Sequence, residues 1–413
     1  HELPEHDVVL WNTLISGYAE HGRTKDALRC FTEMLHTGIS WNAVTFICIL
    51  KACGNVADNV KGNQIHAYIV RKGLEHDCEV GNALVDMYAK CGMLLTAERV
   101  LHKLPFRDVV SWNTLLARYV EQGYGRKTLD HFEKMQQERI SLNSITSVCI
   151  LKACSSEGDI ISGHAIHAEI AKKGFEGNLL VCSTLIDMYA KTGDIYDALS
   201  MFNKSSSRDI VTWSAIIAGH VSCEDGYLAV NLFEEMQRDG VKPDKVTFLL
   251  LLKACSMIGA LGQGRLIYDQ IIISGLESDI ECNSAIVAMY AKCGCLAKAQ
   301  QVHDELNVRS VISWSSLIAG YAQQGQGKEA LHCFLQMQYE GLSPNAVTFL
   351  CIISACSRSG RLEEAEMVFE MMSREYDFIP NLEHYVCMII TSGSAGNFDK
   401  AVAVIQSMPS LDY

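Results

Sequence analysis

The sequence has no run of about 20 apolar residues, the length a membrane-spanning helix requires. Its most apolar run, residues 246–252, ends at Lys253, so no membrane partner is expected. Nor is there an excess of positive charge: 35 Lys and Arg stand against 48 Asp and Glu, a formal net charge of -13. That excludes a general electrostatic nucleic-acid binder, whose affinity comes from dense Lys and Arg. Any recognition of a polyanion must rest on local chemistry. Proline is scarce, six against thirty glycines, and nothing is of low complexity. With 49% hydrophobic residues, this is the composition of helices punctuated by short turns rather than of disorder. Finally, the chain has no C-x-x-C pair and no secretory signal, so its seventeen cysteines are expected to be small buried hydrophobes in a reducing compartment.

What is present is repetition. At 413 residues the chain exceeds what one core holds, so two domains or an array are expected. Trp11, Trp112, Trp213 and Trp314 recur every 101 residues; Trp41 falls outside the series. Each is followed by an F-x-x-M segment, Phe31 to Met34 in the first period and Phe334 to Met337 in the last. The period divides again, because LKAC recurs at Leu50, Leu151 and Leu252, and MYAK-type text recurs after Leu84, Leu185 and Ile286. Three unlike repeats of 35, 35 and 31 residues result. They start at Val8, Ala43 and Cys78; at Val109, Ser144 and Leu179; at Ile210, Lys245 and Ile280; and at Val311, Ala346 and Leu382. Residues 1–7 are expected to be the end of a truncated S repeat.

Each repeat shows two amphipathic helices. Position 15 is usually Gly (Gly22, Gly92, Gly193, Gly294), as expected where a helix ends in a left-handed turn. Position 20 is Ala or Gly in every repeat but one, Thr128 being the exception, which lets helices approach closely. One such hairpin cannot bury its apolar face alone, so neighbours must stack into a superhelix with a concave groove.

The 35, 35, 31 alternation, with LKAC, the QIHA-type text at Gln64 to Ala67 and LVDMYAKCG, resembles the P, L and S repeats of PLS-class plant pentatricopeptide repeat proteins, the organellar RNA-editing factor type. The resemblance covers about twelve repeats. It implies an all-α, right-handed α-solenoid of tandem helix-turn-helix repeats that binds single-stranded RNA, one base per repeat. In that family residue 5 and the last residue of a repeat read the base. The P repeats carry Asn12 with Asn42, Asn113 with Asn143, Ser214 with Asp244, and Ser315 with Asn345. The S repeats carry Asn82 with Asp108, Ser183 with Asp209, and Ser284 with Ser310. All fourteen are short amides, hydroxyls or carboxylates, able to present donors and acceptors to a base edge. Capping and turn preferences for the same residue types are the bland alternative. Against it stand the L repeats, whose fifth residues are Ile47, Val148, Leu249 and Leu350. The family's pairing rules then imply the target 5′-YNUYNGGNRA-3′.

The resemblance further implies that Val9, Val110, Val211 and Ile312, at position 2 of the P repeats, wedge between bases, an ordinary core position being the alternative. Lys90, Lys191 and Lys292, at position 13 of the S repeats, are expected to track phosphates, or else to complement the helix dipole. A full editing factor ends in a zinc deaminase signed H-x-E with P-C-x-x-C. His167-Ala168-Glu169 spells the first half but corresponds to His66-Ala67-Tyr68 one period earlier, and no Pro precedes a Cys. No cofactor, metal or catalytic residue is expected, and the chain is expected to be a fragment lacking the terminal extension. The last reader positions, Val386 and Tyr413, are atypical and expected to be silent. Expected partners are single-stranded organellar RNA, an editing deaminase or accessory editing factors, in mitochondrion or chloroplast with the mitochondrion ahead. The competing readings are a tetratricopeptide-like protein scaffold, which the acidic charge suits, and a metalloenzyme using the Cys and His residues.

Overall fold

A computed structural model of the chain describes residues 8–36, 39, 41–205 and 208–408. Residues 1–7 and the reader position Tyr413 lie outside the described residues. Twenty-four α-helices and one 3-10 turn, Phe175–Gly177, are formed, with no strand among the described residues. The all-α expectation holds. All twelve repeat starts read from the sequence are the first residue of a helix, from Val8–Glu20 and Ala43–Asn55 through to Leu382–Ser394. We term this first helix of each repeat A and the second B.

Two compact units arise, residues 1–207 and 208–413. In the first, the A helices pack successively from Val8–Glu20 to Leu179–Thr192; in the second, they do so from Ile210–Ser222 to Leu382–Ser394. Each unit is thus a stack of helical hairpins, with B helices on the side opposite the exposed A face. The recurrent sequence text is core: Trp112, Trp213 and Trp314 are fully buried, as are Met135, Met236 and Met337 of the F-x-x-M segments. Truncating a buried aromatic of this kind costs about 3–5 kcal/mol. Trp112 Nε1 donates to Glu138 at 3.1 Å and Trp314 Nε1 to Glu340 at 2.9 Å. Arg107 and Arg309 pair with the same carboxylates, fastening the start of helix A to the end of helix B.

The turn between A and B takes the left-handed backbone expected of it, with φ 88° at Gly193 and 80° at Gly294. Ala57 (φ 55°) and Glu224 (φ 60°) occupy the same place, so the repeat imposes the turn even where no glycine relieves it. Close approach is real at position 20. A Cβ on Gly163 would lie 2.6 Å from Met188 Sδ. Cys53, Cys154 and Cys255 are fully buried, and burial pushes each thiol up to about 12, as expected of hydrophobes. Ten of the seventeen cysteines are buried and six are half-buried, but Cys223 is exposed, so the expectation fails there. One core position departs from the pattern: where two earlier periods place the buried Leu101 and Phe202, the third places His303, also fully buried.

Candidate nucleic-acid interface

At 100° per residue, positions 2, 5, 9 and 13 of helix A fall within an arc of about 80°. They form one face, which carries the fifth-position, second-position and lysine residues singled out above. Val9, Val110, Val211 and Ile312, at position 2 of the P repeats, are 55–63% exposed, which removes the ordinary-core alternative for them. Position 5 sits one turn further in. Asn12, Asn113, Ser183, Ser284 and Ser315 are buried, and Asn82 and Ser214 are half-buried.

The last residue of each repeat is the N-cap of the next helix A, so the capping alternative is true of that position but not of position 5. Asn42, Asn143 and Asn345 each accept the backbone N–H three residues on, at 3.0, 2.9 and 2.9 Å. Asp108, Asp209 and Asp244 do the same at 2.8, 2.9 and 2.9 Å, and Ser310 at 3.0 Å. The Ser111 backbone N–H holds the Asp108 carboxyl below its usual value. At Asp209 burial opposes, but bonds from Thr212 prevail and again lower it. These carboxylates are therefore ionised and accept only.

Stacking brings several paired residues into contact. Asn12 Nδ2 donates to Asn42 Oδ1 and Asn113 Nδ2 to Asn143 Oδ1, both at 3.1 Å. Ser284 and Ser310 share a bond at 2.9 Å. Ser214 and Ser315 reach the next repeat through Thr247 and Thr348, at 3.0 and 2.7 Å. Asn82 Oδ1 is buried without a partner and makes no bond to Asp108. Ser183, which donates to Leu180 O at 3.0 Å, belongs to the first unit and Asp209 to the second.

Three features of this face escaped the sequence reading. Val44, Ile145, Val246 and Val347, at position 2 of the L repeats, are as exposed as their P counterparts. They share the period and residue type of the P positions, but the apolar fifth residues of the L repeats conceal that signal. Lys51, Lys152 and Lys253, within LKAC, are exposed at position 9. The hydroxyls at position 3, fully buried at Thr45, Thr146, Thr247 and Thr348, bond Asn42, Asn143, Asp244 and Asn345.

In the second unit the face closes into a groove of about 380 Å³. Ile312 and Val347 form part of its wall, Ser315 and Asn345 supply the polar groups, and Lys292 lines it too. The three S-repeat lysines are not equivalent. Lys90 is paired with Asp86 at 2.8 Å, which also holds Arg118 at 2.9 Å, and Lys191 with Asp187 at 2.9 Å. Lys292 has no ion-pair partner among the described residues. Away from this face, His164, Asp194 and Asp197 bring ligand atoms within 4.8 Å of one another. Asp194 caps the helix Ile195–Lys204 and Asp197 lies in its first turn, an ordinary place for carboxylates.

The family model described as "PPR repeat family" matches residues 6–55, 107–156, 208–257 and 309–358. The "PPR repeat" model matches residues 82–109, 181–210 and 347–376. "Pentatricopeptide repeat-containing protein At5g27110" of Arabidopsis thaliana is 36% identical over 408 residues, covering 99% of this chain and 59% of its own length. "Pentatricopeptide repeat-containing protein At4g38010" of the same plant is 36% identical over 401 residues, covering 97% and 71%. "Pentatricopeptide repeat-containing protein At1g11290, chloroplastic" is 34% identical over 407 residues, covering 98% and 50%. The chain thus spans between half and seven-tenths of these relatives. Among solved structures, the pentatricopeptide repeat protein PPR10 in complex with an 18-nt psaJ RNA element superposes with a TM-score of 0.84 at 22% identity, covering 97% of this chain and 60% of that one. PPR10 from maize alone gives 0.64, covering 98% and 64%. These likenesses establish a shared solenoid fold.

Proposed function

Because the chain belongs to the PPR repeat family, we propose that it binds single-stranded RNA sequence-specifically through the A-helix face of its repeats. The observation that carries this reading is an alternation. Polar pairs at position 5 and the repeat's last residue, joined in several cases to a buried hydroxyl, occur in the P and S repeats of the first three periods and in the last P repeat, and apolar fifth residues occur in every L repeat. Hairpin packing alone requires no such alternation. The readers select bases by hydrogen bonding, the exposed aliphatic residues at position 2 separate adjacent bases, and Lys292 is available to a phosphate. The complex of PPR10 with an RNA element supports the substrate class.

The finer assignment is of the same kind. The chain acts as the PLS-class recognition part of an organellar C-to-U editing factor, without catalysis of its own, and a deaminase or accessory factor supplies the chemistry. Two relatives bear names marked chloroplastic, which supports an organellar site; nothing favours the mitochondrion over the chloroplast. A protein-binding scaffold has only the net charge in its favour.

The test is a gel-shift series with 5′-YNUYNGGNRA-3′ and versions altered at the U or G positions. Each alteration is expected to weaken binding by about tenfold, whereas equal affinity for all versions would sink the reading. The salt dependence is a second check. With two of the three S-repeat lysines already paired, the slope of log K against log salt is expected to be shallow, roughly 0.7 per phosphate contact, so about 0.7 when Lys292 alone engages and about 2 when all three do. A slope of six or more would show that phosphates, rather than base edges, hold the RNA.

A further inference from the structure

We propose that the hydroxyl at position 3 of the repeat following each reader pair is a specificity-determining positioning residue, which fixes the way the pair faces the base. The proposal rests on the RNA-reading function above. After the P repeats this residue is Thr45, Thr146, Thr247 or Thr348; after the S repeats it is Ser111, Thr212 or Ser313. After the first three L repeats, whose fifth residues are apolar, it is Val80, Val181 or Cys282, and after the last it is His384, which bonds Asn381. The N-cap side-chain bond does not require the hydroxyl: Asp77 accepts Val80 N–H at 2.9 Å and Asn178 accepts Val181 N–H at 3.2 Å. To capping the hydroxyl adds only the reciprocal bond from the N-cap N–H, as at Asn345.

The geometry at the last P repeat shows what the hydroxyl adds. Asn345 Oδ1 accepts Thr348 N–H at 2.9 Å and Thr348 Oγ1–H at 3.0 Å. Both partners are donors, so the amide oxygen must point inward and the Nδ2 amine outward. Thr348 Oγ1 has now given its only proton, and it also accepts Asn345 N–H at 3.2 Å. The bond of 2.7 Å between Ser315 and Thr348 must therefore be donated by Ser315. Ser315 is left with lone pairs for the groove. One donor from Asn345 and one acceptor from Ser315 complement adenine, with its ring-nitrogen acceptor and amino donor.

At Asp244 the same two donors, Thr247 N–H at 2.9 Å and Oγ1–H at 2.7 Å, occupy Oδ1 and leave Oδ2 outward as an acceptor. With Ser214 bonded to Thr247 in the same way, that repeat offers acceptors only, which suits guanine's ring N–H and amino group. One buried hydroxyl thus turns the choice of Asn or Asp at the last position into a choice of donor or acceptor.

The experiment compares the whole chain with Thr348→Val and Thr348→Ser, on the ten-nucleotide RNA ending in A or in G. The unaltered chain is expected to favour A by about tenfold. Thr348→Val is expected to lose most of that ratio while discrimination at the earlier U and G positions stays intact, and Thr348→Ser is expected to retain it. A merely structural loss weakens every RNA alike and leaves the ratio unmoved. A full A-over-G preference in Thr348→Val would overturn the role of the hydroxyl alone. Equal binding of both RNAs by the unaltered chain would instead overturn the base-reading function on which it rests.

Discussion

Replacing Asn345 with Asp is expected to switch the preference at the last specified base from A to G. Asn345 caps the helix Ala346–Arg358 through Oδ1, and its other terminal atom is free to face a ligand. The substitution keeps Oδ1 and exchanges the outward amine for an ionised oxygen. Adenine would then present a ring-nitrogen lone pair to a carboxylate, whereas guanine would present an N–H. A matched or mismatched pair of this kind is worth about 1–3 kcal/mol, or roughly fivefold to more than a hundredfold in relative affinity. Folding is not expected to suffer, since Asn and Asp cap helices about equally well, and Asp108, Asp209 and Asp244 already fill this place elsewhere. Competition binding with RNAs differing only at that base measures the effect. An unchanged preference for A would mean that the base lies elsewhere on the face and that the register of the target is wrong.

Much of this was legible because the chain states its own frame four times. A Trp every 101 residues, LKAC and MYAK fixed twelve repeat starts, and each proved to be the first residue of a helix. The frame is readable because stacking demands the same buried residues in every period: a fully buried Trp213 or Tyr189 leaves no freedom to drift. The candidate site was legible for the opposite reason. Asn and Ser at position 5 are polar residues in an otherwise apolar frame, so their alternation with Ile47, Val148 and Leu249 stands out.

Contacts between repeats were not legible. That Lys90 shares Asp86 with Arg118 depends on helix A of one repeat lying against helix A of the next, a distance of 32 residues along the chain. The position-3 hydroxyls were hidden because Thr and Ser early in a helix look like capping residues, which they also are. Only the bonds to Ser214, Ser315 and Asn113 reveal the second role.

The same frame isolates a residue that obeys neither rule, and its effect on stability is expected to be large. His303 stands where Leu101 and Phe202 fill the core, its ring centre 4.1 Å from that of Trp314. Both ring nitrogens are buried without a hydrogen-bond partner, the nearest carboxylate being Asp304 at 3.9 Å from Nδ1. Burial pushes the imidazole down to about 4, and the Arg309 charge pushes the same way, against the opposing pull of Asp304 and Glu340. Since the folded value lies below the ordinary 6.5, the unfolded chain takes up the proton first. Stability from this group is complete above about pH 6.5 and is lost as the pH falls towards 4, by an amount on the order of 3 kcal/mol at ~1.4 kcal/mol per pH unit. His303→Leu restores the residue of the first period. It is expected to raise the melting temperature at neutral pH by removing two unsatisfied polar atoms, and to flatten the acid limb. The measurement is the difference between the two proteins' melting temperatures from pH 7.5 to 4.5, in which the carboxylates common to both cancel. A difference that does not grow as the pH falls would show that His303 finds a partner in solution and is not held as a buried neutral ring.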